Sequence, residues 1–149
     1  KDNIQFKDST GKGMDWVESV VKYERPDIVI LDMGDKFSEI KSERTDITLK
    51  AAAIHARNIS KQYDCAVIWM SQLSAEAEGR ADLNQAMMEG SKTGKAAEAD
   101  LMILIGKTQQ AEGEEEDPIR YLNIAKNKLN GFQGKITCQL DGSRSLYSA

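Results

Sequence analysis

Three short runs in this chain, DIVILD (27–32), CAVIWM (65–70) and LMILI (101–105), are apolar through their interiors. A strand covered on one face alternates apolar and polar residues, whereas a strand covered on both does not. The runs therefore predict buried strands. The segments between them predict the cover. MDWVESVVKYE (14–24) sets Met14, Val17, Val20 and Val21 at helical spacing, with Asp15 near the start, where an acid suits the helix dipole. Arg25-Pro26-Asp27 stops that helix. TLKAAAIHARNISKQY (48–63) carries Leu49, Ala52, Ala53, Ala56 and Ile59 along one stripe. Strands that alternate with helices, and are apolar throughout, predict an α/β fold with a mostly parallel sheet flanked by helices. IRYLNIAKNK (119–128) and GKITCQL (134–140), joined by LNGFQG, add an antiparallel hairpin at the C-terminal edge. NIQFK (3–7) alternates and is broken by DSTGKG, which predicts a short strand and a turn.

A chain of 149 residues is long enough for one compact domain and short for two. Its net charge of −4 argues against a general affinity for nucleic acid and leaves room for a local basic loop. No run approaches the roughly 18 apolar residues of a membrane span, and KDNIQFKDST has no signal-peptide character. An opening without Met, directly on strand-like residues, is expected of a fragment of something longer. Cys65 and Cys138 each lie in an apolar-rich run, which favours two buried thiols in a reducing compartment over a disulfide. EGEEED (112–117) is expected to be a solvated hairpin tip, since Ca2+ loops need alternating ligands and a fixed glycine. There is no internal repeat.

Two stretches invite comparison with a phosphate loop, which reads GxxxxGK[ST], follows a buried strand and opens a helix. In GSKTGKA (90–96) only three residues separate Gly90 from Gly94, and Ala96 stands where a hydroxyl would hold Mg2+. STGKGM (9–14) lacks the first glycine and has Met14 at the hydroxyl position. Neither is a phosphate loop.

Three other elements carry chemistry. DIVILD resembles the Walker B strand of an ATPase and delivers Asp32 at its carboxyl end, where open α/β sheets bind ligands. That carboxylate is suited either to hold Mg2+ through water or to cap the following turn. VIWMSQLS (67–74) ends in an uncharged polar pair, so Gln72 is either a γ-phosphate sensor or a plain polar strand end. Lys126 and Lys128, two apart on a strand, share a face. They are either hairpin lysines or a finger that stabilises charge on a neighbouring subunit's phosphate.

Taken in order, VIWMSQLSAEAEGR, EGSKTGKAAEADLMILI and NIAKNKLNGFQGKITCQLDGSRSLYS resemble the C-terminal half of the RecA-like motor domain of DnaB-family replicative DNA helicases and related phage primase-helicases. The resemblance runs from about Asp27 to Tyr147. It implies a partial RecA-like P-loop NTPase core, forming a single domain over 1–149. The Walker A segment and the catalytic glutamate would lie upstream. It implies an ATP-dependent helicase activity in the intact protein, with ATP and Mg2+ as cofactors; this stretch alone is expected to be inactive. The implied partners are single-stranded DNA, further copies in a hexameric ring, and a primase, in the cytoplasm and without a membrane.

By the same resemblance, Asp32 is the Walker B acid and Ser71-Gln72-Leu73 carries the γ-phosphate sensor. Lys126 and Lys128 reach the neighbouring subunit's nucleotide. Residues 74–95 match the DNA-contacting loop of the central channel, and GSKTGKAAEAD its closing helix. Arg80, Lys92 and Lys95 would then meet the DNA backbone through sequence-independent, salt-sensitive contacts. A solvated loop is the plainer alternative. The family's finger triplet, often KQR, ends in arginine, whereas this chain has Lys126-Asn127-Lys128. Lysine lacks arginine's bidentate fork, so here it would act as a point charge.

His55, the only histidine, is expected to be a partly exposed helical residue, and Trp16 and Trp69 core residues. Met87 and Met88 suit either a neighbour or the core. Two other functional readings share the fold: a recombinase or clock-type RecA relative, and a non-catalytic RecA-like module that regulates an active partner.

Overall fold

Helix α1 (Met14–Glu24) occupies the predicted stretch, beginning after the extended Gly13 and ending where Arg25 takes a left-handed conformation (φ 50°) and its N–H meets the Val21 carbonyl at 2.9 Å. The computed structural model describes residues 3–37, 45–90, 94–110 and 117–148. Its contacts divide into two units, Lys1–Ser71 and Gln72–Ala149.

In the first unit, β1 (Ile28–Leu31) pairs in parallel with β2 (Ala66–Trp69), Ile28 opposite Ala66 and Leu31 opposite Trp69. The connection is α2 (Thr45–Tyr63), which begins three residues before the predicted start. Thr45 and Asp46 place an oxygen-bearing and an acidic side chain in its first turn, where the free N–H groups favour them. Met14, Val17 and Val21 of α1 and Ala52, Ala56 and Ile59 of α2 form the core with Leu31. Val29, Val67 and Trp69 pack against it. The opposite face of the pair is open among the described residues: Ile28, Ile30 and Ile68 are exposed, Ile30 by 61%. The runs predicted to be covered on both faces are thus covered on one. NIQFK is not a strand. Alternation alone cannot make one without a partner, and Phe6 is 95% exposed.

The second unit is an antiparallel sheet in the order β3 (Leu101–Gly106), β4 (Ile119–Asn127), β5 (Gly134–Asp141) and β6 (Leu146–Ser148). β4 and β5 are the predicted hairpin. The parallel pairing is confined to β1 and β2 among the described residues, and β3 joins the hairpin instead. Met102 and Leu104 of β3 face a cluster of Ala77, Leu83, Met87, Met88 and Ala96. That assigns the two loop methionines to the core. Leu101, Ile103 and Ile105, on the other face of β3, are exposed. The short helix α3 (Gly94–Glu98) leads into β3.

Both cysteines are free and buried, as predicted. Burial pushes the Cys65 thiol up, and the Asp64 carboxylate adds to the effect. The acidic stretch at 112–116 and Lys92 lie outside the described residues. No helix among the described residues is long and apolar enough to cross a membrane.

Candidate functional site

Asp32 leaves the carboxyl end of β1 exposed, followed by a cis peptide to Met33. The next turn, Gly34–Lys36, receives no side-chain cap, so capping is not the role of Asp32. Its carboxylate has no hydrogen bond among the described residues and is open to a ligand.

The same turn braces the end of β2. The Gly34 N–H donates to the Met70 carbonyl at 2.9 Å. Asp35 accepts from Trp69 Nε1 through Oδ1 (3.0 Å) and from Ser71 Oγ through Oδ2 (2.6 Å). The Trp69 indole lies so close over Gly34 that a Cβ there would sit 2.3 Å from Cε2. Trp69 is therefore a partly buried core residue with a polar task as well. Asp35 was not singled out in the sequence; the second acid of DMGD was its signal.

On the helices of this unit, His55 Nε2 donates to Glu18 Oε2 at 2.7 Å, while Nδ1 lies 3.8 Å from Asp15 Oδ1. Tyr63 donates to the other Glu18 oxygen at 3.1 Å. Ligand atoms of Asp15, Glu18 and His55 lie within 4.8 Å of one another. The imidazole faces the two carboxylates with different nitrogens, however, so no single nitrogen is set to share a cation with both. The trio is a clamp between α1 and α2. The His55 bond, then that of Tyr63, holds the Glu18 pKa below its ordinary 4.5. A lowered folded pKa stabilises above the unfolded value and ceases to do so as pH falls through the folded one. Thermal melts of Glu18→Gln are therefore expected to depend less on pH below about 4.5 than those of the wild type. Equal slopes would remove the clamp's contribution.

In the second unit, Gln72 is exposed and its side chain makes no hydrogen bond among the described residues. The segment after it folds back: Ser74 N donates to Met87 O (2.8 Å), Glu89 N to Gln72 O (3.3 Å), and Leu73 bridges Met88. This stretch is fastened to the sheet. Asn123 on β4 accepts from Leu83 N (3.3 Å) and donates to Ala81 O (3.0 Å). Gln85 Nε2 donates to Ala125 O (2.8 Å), and Lys135 pairs with Asp82 (2.6 Å). Gly106 admits the returning backbone, since a Cβ there would meet Arg80 O at 2.5 Å. Arg80 presents its side chain to solvent. Lys95 does not: only 5% of it is exposed, beside the buried Ala96, so its ammonium is not offered outward in this conformation.

Lys126 and Lys128 converge, as their spacing predicts, on the C-terminal end of α3. Lys126 Nζ donates to the Ala96 and Ala97 carbonyls, the latter at 3.2 Å. Lys128 Nζ meets Ala97 O at 3.5 Å and Asp100 Oδ1 at 3.3 Å. Cations there satisfy carbonyls that the helix leaves unpaired and offset its dipole. The spacing of these lysines placed them together but carried no sign of what they hold.

No family model and no curated protein matches the sequence. Solved structures do match the fold. The chain is similar to a structure described as an ATPase domain, at 17% identity over 91% of this chain and 51% of that one, with a TM-score of 0.78. It is also similar to a structure described as "The Structure Of A DnaB-Like Replicative Helicase And Its Interactions With Primase". There the identity is 21% over 97% of this chain and 37% of that one, with a TM-score of 0.81. The chain thus has a partial RecA-like α/β fold, shared with part of each of these structures. It spans about half of the first structure's length and little over a third of the second's.

Proposed function

We propose that this chain is the C-terminal part of the motor of a ring-forming replicative DNA helicase, which couples ATP hydrolysis to movement along single-stranded DNA and to unwinding. The observation that carries the reading is the fold shared with an ATPase domain and with a DnaB-like replicative helicase over nine-tenths or more of the chain. The local chemistry agrees with it. Asp32 fits Mg2+: an exposed carboxylate at the carboxyl end of parallel strands, with no protein hydrogen bond among the described residues, can accept from the metal's water shell. Bound Mg2+ would draw charge from the phosphates of ATP. Gln72, whose amide makes no hydrogen bond among the described residues, would sense the γ-phosphate. Lys126 and Lys128 would serve a neighbouring subunit's nucleotide as point charges. Of the cations assigned to DNA, Arg80 is the one the described residues leave at the surface. The second solved structure names a primase, and a primase is the further partner proposed here.

The test is nucleotide hydrolysis by the longer protein that contains this chain, with and without single-stranded DNA. The wild type is expected to hydrolyse ATP faster when DNA is present. Gln72→Ala is expected to keep basal hydrolysis and lose most of that stimulation. A wild type without ATPase activity would return the chain to a regulatory RecA-like module, and full stimulation of Gln72→Ala would remove the sensor role.

A further inference from the structure

We infer that Asp35 is a positioning residue, which fixes the end of β2 through Ser71 against the turn that follows Asp32. The inference rests on the helicase reading above and adds a residue to it. The last residue of β2, Trp69, and the two that follow it are each tied to the Gly34-Asp35 corner. Trp69 donates to Oδ1 of Asp35, Met70 accepts from the Gly34 N–H, and Ser71 donates to Oδ2 of Asp35. The return bond, Met70 N to Leu31 O at 3.1 Å, closes the pair on the β1 side.

The chemistry of the corner is specific. Two donors approach one side chain on its two oxygens, and an ionised carboxylate is the small side chain with acceptors in both places. The indole reaches its oxygen by lying over position 34, where a Cβ would come within 2.3 Å of the ring, so the corner requires glycine before the acid. The outcome is a rigid offset between the residue delivered by β1, Asp32, and the residue delivered by β2, Ser71, whose next neighbour in the chain is Gln72. A group that must detect the state of a phosphate can report it only if its own attachment does not drift. Small displacements of positioned groups carry large rate costs.

Asparagine at position 35 has one acceptor and one donor, so Asp35→Asn keeps one of the two bonds and sets two donors against each other at the second. Two readouts separate the outcomes. In the chain itself, the Trp69 indole N–H resonance is expected to shift in Asp35→Asn while that of Trp16 stays in place. In the longer protein, the kcat of DNA-stimulated ATP hydrolysis is expected to fall by about tenfold with the KM for ATP little changed. Asp35→Glu, which keeps both acceptors, is expected to recover part of that loss.

An unchanged kcat in Asp35→Asn, with wild-type hydrolysis intact, overturns the positioning role and leaves the helicase reading standing. A fall in stability with kcat and KM moving together overturns it as well. A wild type that hydrolyses no nucleotide overturns both. Should Asp35→Asn fail to fold, Trp69→Phe and Ser71→Ala remove the two bonds one at a time. Each is then expected to lower kcat, and neither doing so is the negative result.

Discussion

Asn123→Leu is expected to destabilise the second unit by on the order of 3 kcal/mol and to loosen the segment that follows Gln72. The volume of the side chain is nearly kept, so the loss is polar. Leu83 N–H loses its acceptor, and the carbonyls of Ala81, Leu104 and Tyr121, which Asn123 Nδ2 approaches at 3.0–3.4 Å, lose a donor. Burying such groups unpaired costs far more than a hydrogen bond contributes when made. Hydrogen exchange gives the sharper reading. The Leu83 amide is expected to exchange faster in the variant, while amides in the middle of β5 keep their protection. Continued protection of Leu83 would mean that the segment is held by its methionines alone.

Ile59→Ala is expected to cost the first unit about 2–5 kcal/mol. Ile59 is 1% exposed and sits among Met14, Val17, Val21 and Leu31, where α1, α2 and the parallel strands share one cluster. Deleting three carbons there removes their transfer free energy and leaves a void lined by both helices. Set against the roughly 5–15 kcal/mol of an ordinary domain, that is a large fraction of what holds the unit together. Chemical denaturation followed by Trp16 and Trp69 fluorescence measures it, and a cost below about 1 kcal/mol would mean that the helices close over the gap.

How far the sequence could be read depended on the kind of signal. Helix α1 was legible to the residue because its apolar spacing and its Arg-Pro stop agree. The start of α2 was missed because Thr45, Asp46 and Thr48 around a single, exposed Ile47 carry no apolar spacing, although a threonine and an acid open its first turn. The run LMILI announced a strand and misled about its direction: its continuous apolar character suggests a parallel strand covered on both faces, whereas β3 pairs antiparallel with β4 and exposes Leu101, Ile103 and Ile105. Strand β6 is three residues long, too short for alternation to declare itself.

Asp32, Gln72, Lys126 and Lys128 were singled out from strand ends and from the order of short runs along the chain, which sequence records. Asp35 holds Trp69 and Ser71, and Asn123 holds Leu83 and Ala81, across separations of 34 to 42 residues that no local pattern encodes. Asn123 did leave one trace, a polar side chain inside the apolar stretch YLNIA. The burial of Lys95 left none.

The lysine cap on α3 changes how anion binding at this edge must be understood. Any anion that takes the ammonium of Lys126 takes it from the Ala96 and Ala97 carbonyls, and one that takes Lys128 draws it away from Asp100. Its measured affinity is thus a difference between two sets of bonds. By reciprocity, whatever frays the last turn of α3 tightens the anion by the same factor that the anion loosens the helix.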